Sequence, residues 1–304
     1  MDRHGVRFAR PFASTAVTGM NAAADWHAPP RQALGTGALL IGAASLQMAG
    51  AVWAVAGGLA LFVAGLPHGA FSHTGRALLN RKPYVIRYLL AGLLAGLAFL
   101  WQPVAALAAF LLASAWHFTF DHSSGATLRR SAIALIAIGG SALFRPTETQ
   151  AVFAALCGSA IPAPVMIVLA VCGVAGYAMT ARVLLKRPRD PALWLVAVSP
   201  ALFHPVLATG LVFWVGHAGP LTSRLARLRN WTPVTWLALG GAAVAATAAI
   251  ILALPLAPAF LPWYAAAAVG LIAPHLLPLR WLSPAADRQG TPVQSSQAAI
   301  SPAT

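Results

Sequence analysis

His117 and Asp121 lie four residues apart in the stretch Ser114-Ala-Trp-His-Phe-Thr-Phe-Asp-His122. On a helix this spacing puts an imidazole and a carboxylate on one face, within reach of each other. A metal-binding imidazole commonly donates its other ring N–H to an acceptor, and Asp121 is the acceptor at hand. Taken alone, the pair reads as a polar helix end. Three further histidines weigh against that. His68 sits in Gly65-Leu-Pro-His-Gly-Ala-Phe-Ser-His73, where Pro67 and Gly69 bend or end a helix and the glycine leaves room beside the ring. His217 closes the aromatic-rich segment that runs from Phe203 to Pro220. His275 stands between Pro274 and Pro278.

Imidazoles on several helices, with few carboxylates and no thiolate pair, suit a borderline metal such as iron, copper or zinc. Six acidic residues can hardly build a carboxylate di-iron site. No His-x-x-His-His cluster, phosphate-binding loop, dinucleotide fingerprint or Gly-x-Ser-x-Gly elbow occurs. His73 and His122 each follow the first histidine of their stretch by five residues, rotated away from it, and read as loop residues. His204 precedes Pro205 and is expected at a break in the backbone. It lies about 20 Å from His217 along a continuous helix. A structural or substrate-facing role beside the site suits it better than ligation. Trp116, Trp214 and the phenylalanines read as packing between helices or lining an apolar channel. Cys157 and Cys172 form no recognisable pair and read as small core residues.

The elements that must position these residues are membrane helices. Charged residues make up 9% of the chain, hydrophobic ones 59%, and mean hydropathy is +0.74. An ordinary soluble domain carries about a quarter charged residues. Long unbroken apolar runs, rather than short alternating ones, select helices over a barrel. The fold class expected is therefore all-α, a polytopic integral membrane bundle of about eight to ten transmembrane helices. Apolar runs occur near 33–50, 51–71, 84–101, 103–120, 131–144, 150–161, 164–185, 191–203, 205–220, 234–256 and 260–279. The runs 131–144, 150–161 and 191–203 are short for a span of ~20 residues and are expected to be re-entrant or broken.

Three segments follow. Residues 1–32 form a basic N-terminal segment without the apolar core of a cleaved signal peptide. Residues 33–280 form one transmembrane domain, and 281–304 a disordered tail rich in Ser, Pro, Ala and Gln. The net charge of +14 sits in short loops, so it reports orientation and attraction to anionic lipid at the cytoplasmic face rather than nucleic acid. Pairing the runs as hairpins gathers the basic clusters on the cytoplasmic side of the cell membrane, with both termini there and Arg145 as the lone exception. That pairing requires 191–217 to cross twice. It also puts His68, His117, His217 and His275 at similar depth, each at the end of a run.

The ordered motifs resemble the Brp/Blh family of membrane-integral β-carotene 15,15′-dioxygenases. Pro67 to His73 resembles the family's Pro-His-Gly-Ala-x-Asp-His, and Ser114 to Asp121 its Ser-x-x-His-Phe-x-x-x-Asp. His204 to Leu221 resembles its His-Pro, aromatic-rich helix and His-Ser-x-x-His; Pro274-His275 resembles its late Pro-His. The resemblance implies a non-haem Fe(II) site that activates dioxygen and cleaves β-carotene, arriving from the bilayer, into two retinals. By motif, His68, His117 and His217 match family iron ligands. Asp121 would orient His117. The chain departs from the pattern at Ser72, where the family has aspartate, and at Leu221, where it has a second histidine. The Gly-Pro-Leu context of Leu221 would also disturb the helix. A site lacking that histidine would recruit His275 or His204, hold iron with three imidazoles, or be inactive. His275 is the preferred substitute. The alternatives are a related oxygenase with another polyene substrate, a non-catalytic carotenoid- or retinal-binding protein or transporter, and, more distantly, a bis-histidine haem protein.

Overall fold

The computed structural model describes residues 30–66, 82–120, 126–228, 230–253 and 258–277. His68, Ser72, His73, Asp121, His122, residues 1–29 and residues 278–304, with Arg280 and the C-terminal tail, fall outside that set; residues 30–32, counted above with the N-terminal segment, open the first helix. The described residues form an all-α membrane bundle with no strand among them. In chain order the helices are α1 (Pro30–Met48), α2 (Ala51–Gly65), α3 (Lys82–Trp101), α4 (Pro103–Phe120), α5 (Thr127–Phe144) and α6 (Pro146–Cys157). After these come α7 (Ala163–Lys186), α8 (Pro191–Leu202) and α9 (Pro205–Phe213), then a π-helical turn (Trp214–Ala218) that leads into α10 (Gly219–Leu228). The last two helices are α11 (Pro233–Ala253) and α12 (Leu261–Leu276).

Local chemistry fixes many of the boundaries. Proline opens α6, α8 and α9 in the first turn, where its missing N–H costs nothing. Asp190 caps α8, its carboxylate accepting from the Leu193 N–H at 2.9 Å. Gly158 closes α6 at φ 64°, the left-handed conformation that glycine adopts freely.

Helices α4, α5, α7 and α11 are long and apolar enough to cross a membrane; α1, α2, α3, α8 and α12 carry shorter apolar stretches. The expectation that 131–144 is broken fails. Helix α5 begins four residues earlier, because Thr127-Leu-Arg-Arg130 is helical too, and it runs unbroken for 18 residues. Its arginines are held: Arg129 Nε donates to Asp190 at 2.9 Å, and Arg130 Nε to the Thr119 carbonyl at 2.9 Å. The run expected at 150–161 forms the short α6 instead, starting at Pro146.

Helix α5 is the buried centre, with Ala132 through Ala142 almost wholly enclosed. It crosses α7 closely. A Cβ at Gly139 would overlap the backbone of Leu169 and Gly173, so only glycine permits this approach. Ile133 and Ile136 pack with Val183, Leu193, Val196 and Val212 in this core. A second core joins α3, α4, α6 and α12 through Phe99, Leu107, Cys157 and Val269. A third joins α1, α2 and α9 through Ala54, Phe203, Leu207 and Leu211. Large apolar side chains point outward, as on α3 at Leu89, Leu93 and Leu97, which suits lipid contact.

Candidate metal centre

Three of the singled-out histidines meet. His117 lies in the last turn of α4, His217 in the π turn, and His275 in the last turn of α12. The ring centres of His117 and His217 are 5.3 Å apart, and those of His117 and His275 are 4.9 Å apart. The Nε2 atom of each ring is buried, and His217 is 2% exposed overall. His117 is the ring common to both contacts.

Each supporting helix owes its position to a close crossing. Gly92 of α3 and Gly270 of α12 face each other so closely that a Cβ on either would strike the other's carbonyl. This crossing seats the end of α12, and Pro274 packs beside it. Helices α2 and α9 also meet closely: a Cβ at Gly58 would strike the Val206 carbonyl, and one at Gly210 the Gly58 carbonyl. Farther along α2, Gly65 lies against Phe213 and Ala218, the neighbourhood of His217. Gly65 precedes His68 by three residues in the chain. The end of α4 is held by Arg130, whose hydrogen bond to Thr119 lands two residues beyond His117.

The π turn answers the sequence Gly219-Pro220. Proline has no N–H and crowds the carbonyl four residues back. Here the backbone widens, and the Gly219 N–H donates to the Trp214 carbonyl five residues back. The helix continues through Pro220 into α10 instead of ending. Such one-turn widenings recur at functional sites. This one lets His217 point inward on a helix that still runs on to the basic segment.

Phenylalanines surround the histidines. Phe118 stacks on His217 with ring centres 4.4 Å apart and planes 30° apart. Phe213 lies 5.9 Å from Phe118, and Phe62 stacks on Phe213 at 5.4 Å. A row of rings therefore leads from α2 to His217. Sequence reasoning placed the phenylalanines as packing or channel lining and missed the stack on His217. The adjacency His117-Phe118 was the available signal.

His204 does not join this group. It caps the N-terminus of α9 at the far end of that helix. Its Nδ1 accepts from the Val206 N–H at 3.4 Å, and its own N–H donates to Gln47 Oε1 at 2.7 Å. Arg145, paired with Glu148 at 2.7 Å, marks the same pole by donating to the Ala201 carbonyl at 3.5 Å.

Do these residues fit a metal? Imidazole nitrogens bind a first-row ion such as zinc at ~2.1 Å, which puts ring centres about 3.2 Å from it and about 4.5–5.2 Å from one another. The His117–His275 separation of 4.9 Å lies within that range, and the His117–His217 separation of 5.3 Å just beyond its upper end. Among the described residues, however, no group of three His, Cys, Asp or Glu side chains is arranged to hold a metal ion. His68, the other expected ligand, and Asp121 lie outside the described residues. In donor chemistry, the imidazoles of α4, the π turn and α12 suit a borderline metal ion.

The family model described as Beta-carotene 15,15'-dioxygenase matches residues 59–283. The chain belongs to the beta-carotene 15,15'-dioxygenase family. The match begins inside α2 and ends just past α12, so it encloses every helix that bears a candidate ligand. Membership carries a carotenoid 15,15′-dioxygenase type of function. No curated protein and no solved structure matches the chain.

Proposed function

We propose that the protein cleaves β-carotene, or a related carotenoid, with dioxygen at an iron held by His117, His217 and His275 together with His68, giving retinal. The observation that carries this reading is that the His117 ring of α4 lies 5.3 Å from that of His217 in the π turn and 4.9 Å from that of His275 on α12, in a family of carotenoid dioxygenases. When bound, iron supplies the activation of dioxygen.

The chain's own residues do the rest. Neutral imidazoles carry no charge, so a metal they hold keeps its cationic character and leaves positions open. Phe118 fixes the plane of His217 by stacking. The row Phe62, Phe213 and Phe118 offers a flat apolar face to one arm of a polyene, and the packed helices keep bulk water away. Asp121, four residues after His117, would orient that ring by accepting its other N–H. Lipid-facing apolar surface gives so insoluble a substrate its way in from the bilayer. His275 stands in for the histidine that Leu221 replaces. The basic clusters keep both termini on the cytoplasmic side of the cell membrane.

Metal analysis of the purified full chain tests the proposal. About one iron per chain is expected, lost in His117→Ala, His217→Ala and His275→Ala. A second reading, a carotenoid- or retinal-binding protein without metal, draws on Leu221 and on the lack, among the described residues, of three His, Cys, Asp or Glu side chains arranged to hold a metal ion. Normal pigment binding with no stoichiometric metal would select it.

A further inference from the structure

Helix α10 leaves the π turn of His217 and ends at Leu228, and Asn230 beyond it takes a positive φ of 49°. Trp231 follows, its N–H closing the helix on the Ala226 carbonyl at 2.9 Å, and α11 then starts its candidate span at Pro233. Between α10 and the start of α11 lies a shallow, open groove lined by Ser223, Ala226, Arg227, Asn230, Trp231 and Trp236. The two indoles meet edge to face, with centres 5.4 Å apart.

We infer that this groove is a binding site for the headgroup of an anionic phospholipid. Tryptophan at the mouth of a span belongs at the level of lipid headgroups. Arg227 is exposed and presents a planar donor fork suited to phosphate. Ser223 and Asn230 add uncharged donors on the same rim. The groove offers nothing to a headgroup ammonium in the way of carboxylates. No Asp or Glu occurs between residues 191 and 286. The two carboxylates among the described residues, Glu148 and Asp190, are held by Arg145 and Arg129. A lipid with net negative charge is therefore preferred over a zwitterionic one. The bound lipid sits on the helix that continues directly from His217.

The test is competition for the purified full chain between phosphatidylglycerol and phosphatidylcholine in a neutral detergent, read by native mass spectrometry. Wild type is expected to retain phosphatidylglycerol preferentially, by roughly fivefold per basic contact. Arg227→Gln should bring retention down to the phosphatidylcholine level, and Trp231→Leu should weaken it. Arg145→Gln, at the opposite pole, should leave it unchanged. Equal retention by Arg227→Gln and wild type would overturn the assignment. So would displacement of the lipid by inorganic phosphate, which would mark a site for the free anion, or an absence of preference in wild type.

Discussion

His117 and His275 come from helices far apart in the chain, yet their ring centres lie 4.9 Å apart. This pairing bears on the proposal that His275 completes the ligand set. If His275 is a ligand, His275→Ala should weaken iron binding by more than the ~10–100-fold that loss of a ligand's hydrogen-bond partner costs. Iron titration of the apo protein checks this. Unchanged affinity would remove His275 from the ligand set.

Phe118 holds His217 by face-to-face contact at 4.4 Å. Aromatic contacts of this kind contribute about 0.5–1.5 kcal/mol beyond the area they bury. Phe118→Leu keeps volume and removes the stack. It should lower metal affinity by up to about tenfold while the thermal midpoint changes little. Equal losses in both would make Phe118 a packing residue only.

His204 behaves as a helix cap, so its replacement should be felt in stability and not in metal content. His204→Ala is expected to cost about 1 kcal/mol, and His204→Asn to restore most of it, because asparagine caps well. Thermal unfolding with parallel iron analysis separates the roles. Loss of iron in His204→Asn would return His204 to the site.

The crossing of α2 and α9 leaves no space for a side chain at Gly58. Gly58→Val should push the two helices apart, at a cost of ~1–3 kcal/mol or more. Because α2 also runs past Ala218, iron binding should fall as well. A variant as stable as wild type would show that the crossing is looser than the packing indicates.

The class of the molecule was legible because composition alone rules out a soluble domain. The histidines were legible because each stands beside a proline, a glycine or a run's end. That His117, His217 and His275 meet was only partly so. Periodicity places a residue along its own helix, whereas the meeting depends on crossings such as Gly92 with Gly270 and Gly58 with Gly210. Glycine is common throughout this chain, and nothing local distinguishes a glycine at a crossing from one facing lipid. The π turn was hidden for a related reason. Gly219-Pro220 signals a disturbance, but a break and a widening look alike until the backbone's partners are known. The start of α5 was misjudged because Arg129 and Arg130 interrupt the apolar pattern. Their partners, Asp190 and the Thr119 carbonyl, lie on other elements.

The most direct measurement is retinal formation in a bacterial host that accumulates β-carotene, with wild type and with His117→Ala at equal membrane levels. The account predicts that β-carotene bleaches and retinal appears with wild type, and that both effects vanish with His117→Ala. Retinal formed equally well by the His117→Ala protein would contradict the proposed centre. So would an absence of retinal from iron-loaded wild type.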